Sequence, residues 1–181
     1  MKKTKWMVLS ATTIWLLMLA GAAMAASDQT SHQVTMTIDE IAKIAIDGGN
    51  ITLDITAPGA GESPADATTT SNYLRYTSTV SSTSKRSINV KFGALDTVPA
   101  GCTLLVTAGN LTGDNRGVSA GEKQISSTAE DIITDVLSCA TGTGANRASL
   151  TYKLRVDAPG SLVAGDSKIV TVTYTLTDMA P

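Results

Sequence analysis

Apolar and polar residues alternate with a period of two along most of the chain. Val34, Met36 and Ile38 alternate with Thr35 and Thr37, and Ile51, Leu53 and Ile55 with Thr52 and Asp54. Leu74, Tyr76, Ser78 and Val80 give a weaker pattern; Ile88, Val90 and Phe92 give a strong one. Cys102, Leu104, Val106 and Ala108 follow, then Leu150, Tyr152, Leu154 and Val156, and finally Val170, Val172, Tyr174 and Leu176. Side chains on a strand alternate between two faces, so each run predicts a strand with one dry and one wet face, as in antiparallel sheets. Turn-forming residues separate the runs: Asp47 to Asn50, Pro58 to Ser71, Ser81 to Arg86, Pro99 to Gly101, Gly109 to Gly121, Gly142 to Gly144 and Pro159–Gly160. Seven or eight strands at this spacing predict an all-β sandwich, immunoglobulin-like or pilin-like.

One segment departs from the rhythm. Ile132, Ile133, Val136 and Leu137 are spaced by three and four residues after Thr128 and Asp131, which resemble a capping box. The spacing predicts one short helix over Ala129–Leu137, with an irregular strand as the alternative.

The first 25 residues have a different character. Lys2, Lys3 and Lys5 precede an apolar run from Trp6 to Ala20, and Ala23-Met24-Ala25 supplies small residues for cleavage. This is the pattern of a Sec-type signal peptide, residues 1–25. An apolar run of about 15 residues is shorter than the roughly 20 needed to span a bilayer. The expected product is a single domain, residues 26–181, that is secreted, periplasmic or at the cell surface, with no membrane span once the signal is removed. Removing the signal changes the composition. Both tryptophans leave with it, and 11 Lys and Arg remain against 16 Asp and Glu, a formal charge of −5. That balance argues against a nucleic-acid partner. Threonine (24) and serine (16) dominate what is left, which suits exposed strand faces.

The candidate chemistry is sparse. Cys102 and Cys139 are the only cysteines, and an even pair in an oxidising compartment predicts a disulfide; two free thiols are the alternative. His32 is the sole histidine and lies near the expected new N-terminus, and no G-x-S-x-G is present. Together these argue against an enzyme of the hydrolase-triad type. Asp114-Asn115 lacks the further ligands of a calcium loop, and Glu130, Asp131 and Asp135 suit a solvated face, so no cofactor or metal is expected. Asn50-Ile-Thr and Asn110-Leu-Thr match glycosylation sequons by pattern alone. Tyr73 is the aromatic expected on an outer face, which leaves little for stacking a sugar.

The two ends carry the sharpest pattern. Gln33 to Ile46 reads QVTMTIDEIAKIAI, and Lys168 to Asp178 reads KIVTVTYTLTD. Both resemble the terminal strands of bacterial fimbrial, pilin-like or coat-type secreted β-sandwich subunits. The resemblance covers the ends and the strand rhythm, and the late cysteines depart from the common pilin framework. It implies that Val34, Met36 and Ile38 form a candidate donor strand that completes a neighbour's sheet. It also implies that Val170, Val172, Tyr174 and Leu176 form the C-terminal core strand. The expected partners are therefore further copies of the chain or other surface proteins, and the expected role is structural or adhesive. Two alternatives stay open: the N-terminal strand packs in its own sheet, or the protein is a monomeric envelope domain whose loops 57–71 or 109–121 bind a glycan or protein.

Overall fold

The computed structural model describes residues 30–56 and 58–179. The expected signal peptide lies outside the described residues. The chain divides after Met36. Residues 30–36 form no strand and are exposed.

From Thr37 onward the chain builds two antiparallel sheets around one core. The strands in chain order are β1 (Ile41–Asp47), β2 (Ala67–Thr79), β3 (Arg86–Phe92), β4 (Cys102–Gly109), β5 (Arg116–Ser119), β6 (Lys123–Gln124), β7 (Glu130–Val136), β8 (Cys139–Ala140), β9 (Ala148–Val156) and β10 (Val172–Asp178). The first sheet runs β1-β2-β9-β4-β6, with β8 also on β2; the second runs β10-β3-β7-β5. A 3-10 turn at Pro159–Ser161 is the sole helical element among the described residues. The expected all-β sandwich is thus the fold.

The period-two residues point inward as their pattern requires. Leu74 and Tyr76 of β2, Val106 of β4, and Leu150 and Tyr152 of β9 meet Ile88 and Val90 of β3 and Val136 of β7 in one buried cluster. Thr141, just after β8, is also buried: its hydroxyl accepts from the Tyr76 N–H at 3.1 Å, and its own N–H donates to the Tyr76 carbonyl at 3.0 Å. A side chain here completes the β2 edge where β8 gives way to a loop.

Three sequence expectations are corrected. The helix over Ala129–Leu137 is strand β7. Its pairing with β3 shifts twice, between Arg86 and Ile88 and again between Ile88 and Asn89, and Asp135 has φ +58°. Each bulge inserts a residue and changes the phase of the alternation. Ile132 and Ile133 are therefore both buried, and the spacing imitates a helix. Secondly, Ile51, Leu53 and Ile55 form no strand, although they alternate between half-buried and exposed neighbours as a strand would. Thirdly, Cys102 and Cys139 are not bonded to each other. Cys102 pairs with Val156 at one end of the first sheet, and Cys139 pairs with Ser78 at the other. About a dozen residue steps separate the two levels, roughly 40 Å at 3.3 Å per residue. A disulfide tolerates about 7 Å between Cα atoms, so this pair cannot close within one chain.

Candidate functional site: the seam between β1 and β10

β1 and β10 are the edge strands of the two sheets on one flank of the sandwich. Among the described residues each is paired on one side only: Ile41–Asp47 with Thr79–Tyr73, and Val172–Asp178 with Phe92–Arg86. Between them lies a cavity of about 250 Å³ lined by Ile44, Ala45, Ile46, Leu74, Val172, Thr173 and Tyr174. The seam leaves part of the core wet. Val172, Tyr174 and Leu176 face inward yet are half-buried, whereas Ile88 and Val90 on the adjacent strand are wholly buried. Val170 precedes β10 and packs on the same core without joining the strand.

Two polar groups fix the geometry of the seam. In its interior the Tyr174 and Tyr152 hydroxyls share a hydrogen bond of 2.7 Å that links the sheets. Burial pushes both phenols above their ordinary pKa, so both stay protonated. At one end Arg86 crosses from β3 with its side chain only 5% exposed. Its Nε donates to Asp178 at 2.7 Å and its Nη1 to the Thr79 carbonyl at 3.3 Å, Ser78 Oγ at 3.4 Å and the Ile41 carbonyl. Glu40 stands 3.5 Å from Nη2. One guanidinium therefore joins the start of β1, the end of β2 and the end of β10. At the other end Asp96 accepts from the N–H groups of Thr171 and Gly93, which pins the chain entering β10.

Val34, Met36 and Ile38 are in no strand and are 63%, 85% and 85% exposed. His32 is likewise exposed and in no strand. Tyr73 does sit on the outer face of β2, but Arg147 lies over its ring at 4.3 Å from the centroid. Arg147 and Arg75 both pair with Asp47, at 3.0 and 2.7 Å, and hold its carboxyl below the usual carboxylate range. Asp135 is paired with Lys85, while Glu130 and Asp131 are exposed. The Asn110 amide donates to the carbonyls of Ala145 and Arg147, both at 2.8 Å, so that sequon residue ties two loops together. Parts of the two loops expected to be irregular are strand: 67–71 belongs to β2 and 116–119 is β5.

Arg86 had no signal in the sequence beyond closing a polar turn. Its role depends on β1, β2 and β10 converging, which no local pattern encodes. No family model matches the chain, and no curated protein matches it.

Proposed function

We propose that this chain is a secreted or surface-exposed structural or adhesive protein whose copies assemble by β-strand addition. In that reaction a free segment pairs with an open sheet edge: ladder hydrogen bonds supply affinity, and alternate side chains fill the groove. The observation that carries the reading is the contrast at the N-terminus. Val34, Met36 and Ile38 have the period-two pattern of a half-buried strand, yet residues 30–40 belong to no strand and these three side chains are exposed. The flank between β1 and β10 supports it from the receiving side, with a β10 edge that no described strand pairs with, beside an apolar cavity. The capping of Tyr73 by Arg147 weakens the alternative of a sugar-stacking surface.

Deleting Ala26 to Asp39 tests the reading. The shortened chain is expected to lose fibre growth and to bind a peptide spanning Gln33 to Asp39. An intact chain that stays monomeric, with that segment protected from proteolysis, overturns it.

A further inference from the structure

We propose that β1 itself is an exchangeable strand, and that the β2 edge it occupies can receive β1 from a second copy of the chain. The inference rests on the reading that copies associate through strands, but assigns the exchange to a different segment from Val34–Ile38.

β1 contributes little to the core. Of its seven residues only Ile44 and Asp47 are half-buried, and Ile41 and Ile46 are 40% and 46% exposed. Its attachment is a ladder to residues 73–79 with side-chain ties at each end: Arg86 to Glu40 and the Ile41 carbonyl, and Arg75 and Arg147 to Asp47. Every one of these partners follows β1 in the chain. A second copy's β1 would therefore meet the same register and the same charges without any new complementarity, which is what makes exchange of an identical element a low-cost route to dimers.

The hinge is also present. Gly48 has φ +118°, and a Cβ there would lie 2.8 Å from Asn72 Oδ1 and 3.1 Å from the Ser71 carbonyl. Gly49 follows, with nothing within 4 Å of its Cβ position. Asn72 Nδ2 donates to the Gly49 carbonyl at 3.1 Å, and residues 50–56 then carry no strand, with Ile51 and Leu53 packed half-buried against the core. The folded-back arrangement needs a left-handed residue at position 48, whereas an extended hinge does not.

The test places Lys43→Cys and Thr77→Cys, which face each other in the ladder, in a Cys102→Ser/Cys139→Ser background. Monomer and dimer fractions are separated by gel filtration at high concentration, oxidised with oxidised glutathione, and run on a non-reducing denaturing gel. The expected result is a covalent dimer from the dimer fraction and an internally linked monomer from the monomer fraction. A dimer fraction that resolves into linked monomers, or no dimer at millimolar concentration, overturns the proposal. Without engineered cysteines, Gly48→Ala is expected to raise the dimer fraction several-fold and Gly49→Ala to leave it unchanged; equal fractions overturn it. Val34→Ser/Met36→Ser/Ile38→Ser separates the two readings. That variant is expected to lose fibre growth and keep the dimer, and loss of the dimer assigns the exchange to residues 34–38 instead of β1.

Discussion

Replacing Arg86 by methionine asks how much of the seam depends on one guanidinium. Methionine keeps most of the packed stem and removes the charge with its hydrogen bonds. Asp178 and Glu40 are 70% and 59% exposed, so water replaces the arginine at both carboxylates. The 3–5 kcal/mol cost of stranding a buried charge therefore does not apply. What is stranded is the Ser78 hydroxyl, 2% exposed, and the half-buried Thr79 carbonyl, while the Ile41 carbonyl sits on an exposed residue. At about 1–3 kcal/mol for unsatisfied buried groups, partly offset by no longer burying a cation, the expected destabilisation is about 2 kcal/mol. Arg86→Ala adds a cavity and is expected to cost about 4 kcal/mol. Both tryptophans lie within the first 25 residues, so guanidinium unfolding is followed by circular dichroism. Hydrogen exchange adds the local readout: amides of Ile41–Asp47 are expected to lose protection before those of β9. An Arg86→Met change within 0.5 kcal/mol of the parent, with β1 protection intact, would refute the reasoning that this residue closes the seam.

Other perturbations probe the rest of the framework. Gly117→Ala is expected to destabilise by about 3 kcal/mol in the same assay, because φ is +89° and the new Cβ would lie 2.5 Å from the Thr134 carbonyl. Thr141→Val leaves the buried Tyr76 N–H without its acceptor and is expected to cost about 2 kcal/mol; a neutral result would mean that water reaches that edge. Asp47 titrates below the ordinary carboxylate value because Arg147, then Arg75, favour its charged form. Its contribution is thus fully present above pH ~4 and is lost as pH falls through the depressed value. Urea midpoints should fall less between pH 5 and pH 2.5 in Asp47→Asn than in the parent. Thiol titration of the denatured monomer is expected to find two free thiols per chain, and a count of zero without covalent dimers would contradict the separation of Cys102 and Cys139.

What was legible in the sequence was whatever obeys a local period. β3, β4, β9 and β10 lie where alternation placed them, because a strand with one buried face writes its pattern into consecutive residues. β7 was misread because two bulges move its apolar residues out of phase. The first half of β2 is hidden in the Thr68-Thr69-Thr70 run: Thr68 and Thr69 pair with β9, but the run presents no apolar side chain. Segment 51–55 shows the converse, since its alternation survives without a ladder. Long-range facts left no local trace. A count of two cysteines says nothing of their lying at opposite ends of one sheet, and a turn-closing arginine says nothing of the three strands it joins.

The two flanks of the sandwich differ in how they guard their edges, and that asymmetry bears on where a strand can add. Sheet edges resist unwanted pairing when they are short, irregular or charged. The β5/β6 flank has all three features: β6 has two residues, β5 has four with Gly117 at φ +89°, and Lys123 begins β6 with Glu122 beside it. β10 has none over six residues. Val172 to Thr177 contains no charge, proline or glycine, and its outward threonines favour a ladder. A seven-residue donor with apolar residues at alternate positions matches that length, and Gln33 to Asp39 supplies one. If the unguarded edge is the receiving site, a lysine at Thr175 should block addition there while leaving the fold intact, because Thr175 is exposed. The same lysine at Val118, exposed on the guarded flank, should leave assembly unchanged. Equal loss of assembly from both substitutions would separate edge protection from function in this chain and remove β10 as the acceptor.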